Sequence, residues 1–476
     1  MTYQKKHIPK KSDNISNWYN AVVLQAELAD YGPAKGTMII RPYGYTIWEL
    51  VQKALDEKIK ARGVVNAYFP LFIPESFLKK EKEHIKGFAP EIAVVTIGGG
   101  KELEEKLIVR PTSETIMYDA YSRWISSWRD LPMLINQWNN VVRWEKRTYM
   151  FLRTTEFLWQ EGHTAHATHE EAWETVLWAI NTYEEVYRDY FAIAGYKGIK
   201  SEAEKFAGAG STISFELLMP DGRALQGCTS HDLGQNFAKV FNIKFQDKDE
   251  TTKHVWQTSW GFSTRSIGSL ILAHGDDNGL RLPPKIAPFQ VVVIPVGQRL
   301  SVLEKCQVLV SQLQKSDIRV ILDNGEDESL GFKINKWELR GVPVRIELGD
   351  KEAAENALTL ARRDNGEKLR ISADDAVNSI KIALDDIQQK MFEQSLKFLQ
   401  EHTFVVNDYE EFKRVMATSR GFIKAHWCGS PECENRIKEE TKATTRCRLL
   451  DEKKEAGKCV YCGAPSDYRW VFGQSY

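Results

Sequence analysis

The sequence predicts three units in a row: an α+β domain with an antiparallel sheet and flanking helices over residues 1–284, an α/β domain over 285–403, and a small α+β module over 404–476. Three observations carry this division. A chain of 476 residues is too long for one ordinary core. Leu280-Arg281-Leu282-Pro283-Pro284 ends the first stretch in a double proline, which stops helices and removes backbone donors. Beyond Phe289 strands and helices alternate, and five of the seven cysteines then fall between Cys428 and Cys462.

Composition narrows the function classes. At 42% hydrophobic and 27% charged the chain is globular rather than disordered. No apolar run approaches the roughly 20 residues that span a bilayer, and no hydrophobic segment follows the N-terminal Lys5, Lys6, Lys10 and Lys11, so a cytosolic enzyme is expected. A formal net charge of −1 argues against nucleic-acid binding through bulk charge; RNA contact would need local basic patches and shape recognition.

In the first unit, residues 45–61 read as an amphipathic helix that leads through Arg62-Gly63 into a strand over 64–69, stopped by Pro70 and Pro74. Residues 91–105, with Gly98-Gly99-Gly100, read as a loop-like excursion. Val109-Arg110-Pro111-Thr112-Ser113-Glu114 opens a helix running to about residue 128. Residues 141–145 form a short strand, 146–150 a turn, and the chain returns as a second extended run from Phe151. A long aromatic-rich helix follows over 170–194, and the unit closes with a helix over 266–273. In the second unit, strands at 290–295, 318–322 and 344–347 alternate with helices at 301–314 and 330–340, which implies a mostly parallel sheet covered on both faces. One helix over 374–401 completes it.

The hairpin carries the chemistry. Side chains two apart share a face of a strand. Arg143 therefore faces with Glu145, and Arg153, Phe157, Trp159, Glu161 and His163 share one parity on the return. Two arginines, acids and an indole around one cleft suit an anionic ligand that also carries a cation. An amphipathic hairpin with a solvated charged face is the alternative, against which stand Phe157 and Trp159 on the same side. In the third unit, Cys428-x4-Cys433 and Cys459-x2-Cys462 form two chelating pairs whose four thiolates suit a structural tetrahedral Zn²⁺. Cys447 is left over as a packed free thiol, and Cys228 also reads as packing.

Arg143-x-Glu145 followed by Phe151-Leu152-Arg153-Thr154 resembles motif 2 of class II aminoacyl-tRNA synthetases. Its continuation, Glu156 to His163, is similar to the prolyl-tRNA synthetases, in the archaeal and eukaryotic-like form found also in some bacteria. The similarity runs through nearly the whole chain. It implies a homodimer built on the 45–69 segment, proline and ATP as substrates, and tRNA(Pro) as acceptor. Arg143 would bridge carboxylate and α-phosphate with paired hydrogen bonds, Arg153 would hold the β/γ-phosphates, and Glu145 would face the adenine amino group, with Thr154 beside them. Trp256 to Arg265 resembles motif 3, whose Arg265 grips ATP near Ser263, while Ser259 and Gly261 face proline. Thr112 and Glu114 resemble the proline-recognition loop; read alone, they cap a helix and favour its positive end. By the same resemblance Gln226 and Thr229 serve adenosine, His231 lines the proline pocket, and Trp159 packs on the pyrrolidine ring.

ATP would arrive with Mg²⁺, as triphosphate charge requires. The stretch from His163 to Trp256 leaves no room for an editing domain. The second unit resembles the anticodon-binding domain of these enzymes, where Arg345, Glu347, Arg362 and Arg363 at strand ends are the candidates to read bases; solvated charged strand ends are the alternative. The terminal Tyr476 would approach the catalytic unit. Two rivals remain open: a class II enzyme charging another amino acid such as cysteine or threonine, and a non-catalytic RNA-binding paralogue.

Overall fold

The structure is a computed structural model that describes residues 8–80 and 92–476. Strands with alternating faces in the first unit build one antiparallel sheet. Its central members are β1 (Met133–Val142), β2 (Glu156–His166), β3 (Ser211–Leu218), β4 (Ala224–Gly234) and β5 (Trp256–Ser263). They lie side by side in the order β1-β2-β5-β4-β3. Helices α1 (Glu114–Trp124), α2 (His169–Asp189) and α3 (Arg265–His274) complete the frame.

The period-2 rule decides what the sheet does. Trp260 and Phe262 of β5 turn to α2, where Tyr183 and Tyr187 meet them with ring centroids 5.3–6.3 Å apart. The alternate residues Ser259, Gly261 and Ser263 face the other way, into a cavity. This close packing requires glycine at 162, since a Cβ there would stand 2.1 Å from the Trp260 ring. The main apolar core lies on the α2 face and joins it to the helices Ile15–Gln25 and Pro42–Ala61.

The second unit has a five-stranded sheet in the order Val320–Leu322, Val291–Pro295, Val344–Leu348, Ala357–Arg362, Lys368–Ser372. The first three strands are parallel and the last two antiparallel. Leu300–Lys315 and Ala376–Glu401 cover one face, and Trp337 packs with Val292 and Ile294 on the other. The two antiparallel strands go beyond the three strands expected from the sequence; Lys368–Ser372 is short, lies at the sheet edge and faces mostly solvent.

Sequence and structure differ in four further places. The strand expected over 64–69 shrinks to Val65–Asn66, because the Gln137 side chain takes the Phe69 N–H and ends the ladder. The hairpin expected from 141–145 onward has its first strand at Met133–Val142, with Arg143 and Glu145 beyond its end, and its return strand starts at Glu156 rather than Phe151. Met150, Phe151 and Leu152 instead fold into the core as a tight turn, with Phe151 in the left-handed region at φ 60°. The excursion before α1 is a hairpin of Ala93–Gly98 and Lys101–Val109, turned by Gly99 and Gly100 at positive φ. Glu91, Lys5 and Lys6 lie outside the described residues.

Finally, the third unit does not stand apart. Its strand Ala443–Leu449 pairs with Gly195–Ile199, extending the first sheet to eleven strands. A Cβ at Gly198 would stand 2.2 Å from the Arg448 carbonyl oxygen, so the join requires glycine. Among the described residues, no helix is long and apolar enough to cross a membrane.

Candidate active site

One cavity of about 260 Å³ opens on the face of the sheet opposite α2. Thr112, Glu114, Arg143, Trp159, Gln226, Thr229, His231, Ser259, Gly261, Ser263 and Arg265 all line it, together with Phe157, Glu161 and His163. Arg153, Glu145 and Thr154 line an adjoining recess, which they share with Arg143, Ser263 and Arg265. Residues more than a hundred positions apart are thus gathered by β2, β4, β5 and the loop before α1.

That loop is fixed from beneath. Arg110 is fully buried and donates from Nε to Asn140 O at 2.9 Å, from Nη1 to Phe69 O at 2.6 Å and from Nη2 to Asn140 Oδ1 at 3.1 Å. The Thr112 hydroxyl donates to Glu114, and the Ser113 hydroxyl to Glu161. Glu161 also accepts from Gln137 Nε2 at 3.1 Å and Asn139 Nδ2 at 2.7 Å, and its Oε2 lies 3.0 Å from His163 Nε2. Burial alone would raise the Glu161 carboxyl and lower the His163 ring, but their mutual hydrogen bond and opposite charges reverse both. The pocket floor is therefore a buried, mutually hydrogen-bonded Glu161–His163 pair whose remaining carboxylate contacts are met by Ser113, Gln137 and Asn139.

His231 behaves oppositely. Burial, and then the positive fields of His163, Lys200 and Arg143, push its pKa down to about 3, so the ring is neutral at pH 7. Thr212 Oγ1 lies 2.9 Å from Nδ1 and Thr229 Oγ1 3.0 Å from Nε2, and Phe206 packs on the ring with centroids 4.6 Å apart. A neutral imidazole beside Glu114 does not oppose a cationic ligand.

The three arginines share one field. Arg143 donates from Nε to Pro111 O at 3.1 Å, and its guanidinium lies 5.5 Å from the Phe157 ring and 5.6 Å from the Trp159 ring. Arg153 Nε is 3.8 Å from Glu145 Oε1. Arg265 donates from Nε to Leu152 O at 3.0 Å, and burial followed by repulsion from Arg143 and Arg153 lowers its pKa to about 10. It remains charged at pH 7. Three cations held this close call for a polyanion between them. Two buried polar atoms at the cavity wall, Trp159 Nε1 and Ser259 Oγ, have no hydrogen-bond partner.

Several contributors escaped sequence reading. Lys200, Glu204, Phe206 and Thr212 close one side of the cavity from a segment with no recognisable motif. Gln137 and Asn139 left a usable signal: two amides at alternate positions of a strand face the same side, and here they hold Glu161. Cys228 and Cys447 are buried thiols, both raised by burial.

The remaining candidates lie elsewhere. Arg345 Nε pairs with Glu347 Oε1 at 2.9 Å, and Arg362 with Asp364 and Asp386 at 2.6–2.9 Å. Arg363 turns toward the first unit and grips Asp276. Its side chain is 9% exposed and its fork is filled. Cys428, Cys433, Cys459 and Cys462 bring their sulfurs within 4.8 Å of one another, with Cys428 Sγ 3.7 Å from Cys433 Sγ and 3.8 Å from Cys462 Sγ. A tetrahedron with arms of about 2.3 Å has edges of about 3.8 Å, so the four thiols fit a zinc ion. Tyr476 donates its backbone N–H to Ala224 O at 3.3 Å, and Arg223 lies 5.5 Å from its ring, so the chain end docks on the first unit.

Known proteins resemble the chain in each of its three units. Residues 95–274 match the tRNA synthetase class II core domain (G, H, P, S and T), residues 290–382 the anticodon binding domain, and residues 409–476 the prolyl-tRNA synthetase C-terminal domain. A proline–tRNA ligase of Chlorobium chlorochromatii is 54% identical over 98% of this chain and 99% of its own. One from Rubrobacter xylanophilus is 52% identical over 100% of both. The crystal structure of prolyl-tRNA synthetase from Cryptosporidium parvum, complexed with halofuginone and AMPPNP, superposes with a TM-score of 0.95 at 39% identity, covering 99% of each chain. Likeness over the full length, in all three units at once, means that the chain belongs to the proline–tRNA ligases, the prolyl branch of the class II aminoacyl-tRNA synthetases.

Proposed function

We propose that this chain activates proline with ATP to prolyl-adenylate and pyrophosphate, then transfers proline to the 3′ end of tRNA(Pro). The observation that carries the reading is the convergence of Arg143, Arg153 and Arg265 beside a pocket holding Glu114, Thr112 and a neutral His231. A proline carboxylate oxygen attacks the α-phosphorus, and the bond to pyrophosphate breaks. Arg143 bridges the carboxylate and the α-phosphate where charge gathers. Arg153 and Arg265 hold the β/γ-phosphates, Glu145 faces the adenine amino group with Thr154 beside it, and Gln226, Thr229 and Ser263 serve the adenosine side. Mg²⁺ accompanies the triphosphate. Rate comes from positioning and fixed charge, with no protein nucleophile, so Cys228 has no chemical part.

Glu114 and Thr112 receive the secondary ammonium, and Trp159, His231, Ser259 and Gly261 shape the ring pocket. Such a pocket rejects a substrate lacking one methylene by only about 1–3 kcal/mol. The stretch between β2 and β5 is filled by α2, β3, β4 and short connecting elements, so any correction of mischarged alanine would come from elsewhere. AMPPNP in the Cryptosporidium enzyme supports ATP as the nucleotide. The second unit reads the anticodon, with Arg345 and Glu347 as its candidates, since Arg362 like Arg363 already commits its guanidinium to carboxylates; the chain works as a homodimer in the cytoplasm, where tRNA is charged. Charging tests the whole: purified protein should load radiolabelled proline onto tRNA(Pro), and no transfer, or transfer of cysteine or threonine instead, contradicts the reading.

We assign Cys428, Cys433, Cys459 and Cys462 to a structural zinc ion, since four thiolates leave no open position for chemistry. Elemental analysis should find one zinc per chain, and Cys459→Ser should lower both zinc content and melting temperature. Full stability without metal would contradict the assignment.

A further inference from the structure

Helix α3 links two places. It begins at Arg265 in the nucleotide recess and ends at His274; ten residues span about 15 Å. Beyond it the chain enters the seam with the second unit. Arg363 Nη1 donates to Asp276 Oδ2 at 2.7 Å and Nη2 to Asp276 Oδ1 at 2.6 Å, a two-pronged pair, while Nε donates to Glu338 O at 3.0 Å. Burial alone would raise the Asp276 carboxyl, but the Arg363 hydrogen bonds and charge bring it below its ordinary range. The seam is stitched further by Leu280 N–H to Leu339 O at 3.0 Å and Leu282 N–H to Gly341 O at 3.1 Å.

The end of α3 is fixed from the first unit as well. Lys11 Nζ donates to the carbonyls of Leu272 and Gly275, each at 2.7 Å, which occupies acceptors that a helix end leaves open. Trp18 Nε1 donates to Asp276 O at 2.9 Å. At the opposite end, Arg265 sits among like charges that would drive it out of the recess, so its position depends on the backbone that carries it. A rigid helix clamped at its far end supplies that support.

We propose that Arg363 of the anticodon-binding unit acts through Asp276 as a positioning residue for ATP, holding α3 so that Arg265 meets the nucleotide. This rests on the activity proposed above. The side chains that shape the proline pocket come from β2, β4, β5 and the loop before α1 rather than from α3, so the larger effect falls on the nucleotide.

Proline-dependent ATP–pyrophosphate exchange on the full-length protein tests it. Arg363→Ala should raise KM for ATP about fivefold or more and leave KM for proline within about twofold of wild type. Asp276→Ala should do the same, and the double variant should be no worse than either single, as expected of two residues acting through each other. Melting temperature is measured alongside, because lost packing alone lowers it without separating the two KM values. An unchanged KM for ATP, equal rises for both substrates, or additive effects in the double variant would each overturn the proposal. Wild-type protein silent with proline contradicts the activity itself and takes the latch with it; active wild type with unsplit variants removes the latch alone.

Discussion

Arg143→Ala is expected to lower proline-dependent exchange about 1,000-fold while leaving tRNA binding nearly intact. In the proposed reaction the guanidinium bridges carboxylate and nucleotide, and it lines both the cavity and the adjoining recess. Pro111 O accepts from Nε, and the Phe157 and Trp159 rings lie beside the guanidinium. On that proposal the charge developing at the α-phosphate meets donors already oriented, so little reorganisation accompanies reaction. Arg143→Lys is expected to recover little, because an ammonium cannot bridge two oxygens with a planar fork. If tRNA is held mainly through the second unit, which matches an anticodon binding domain, a nitrocellulose-filter binding curve should overlay wild type. Exchange within a few-fold of wild type in Arg143→Ala would remove the mechanism.

The second large effect is on stability. Where the third unit joins the sheet, Arg446 donates to Glu216 Oε2 from Nε at 2.9 Å and from Nη2 at 2.7 Å, while Lys200 Nζ stands 3.3 Å from Glu216 Oε1. The Glu216 side chain is fully buried. Burial alone would raise its carboxyl, but Arg446 and then Lys200 bring it down to about 2. Arg446→Ala leaves that carboxylate half-compensated and should destabilise the protein by about 3–5 kcal/mol in urea unfolding. The pH dependence follows in sign. A carboxyl whose folded pKa lies below its unfolded value of 4.5 stabilises above that value and loses its contribution as pH falls toward 2. Wild type should therefore lose about 3 kcal/mol from this group across that window, and Arg446→Ala should lose much less. A variant as stable as wild type at pH 7, with the same acid limb, would contradict the account.

How much of this was legible depends on the kind of signal. Strand parity alone put Phe157, Trp159, Glu161 and His163 on one face, and all four line the cavity. Arg143, Glu145 and Arg153 lie outside the strands, so parity does not account for the recess they nonetheless share; the apolar triplet around Phe151 is drawn into the core, and a local pattern cannot register that pull. Thr112 and Glu114 look like an ordinary helix start, and only the resemblance set them apart. Lys200 and Glu204 come from a segment without periodicity and reach the site through tertiary folding. Arg363, read as a strand-end charge for a base, proves to be committed to Asp276, more than eighty residues away. The cysteine pairs were legible because chelation imposes spacing on the chain itself. That the third unit would share a sheet with the first had no signal, since edge pairing leaves no fixed offset in sequence.

The account comes down to three guanidinium groups serving one nucleotide beside a proline pocket. ATP–pyrophosphate exchange, run with each amino acid in turn and no tRNA, tests this most directly. Strong exchange with proline and its loss in Arg143→Ala, Arg153→Ala and Arg265→Ala is the predicted result. Exchange that proline does not stimulate, or that survives removal of those side chains, would contradict it.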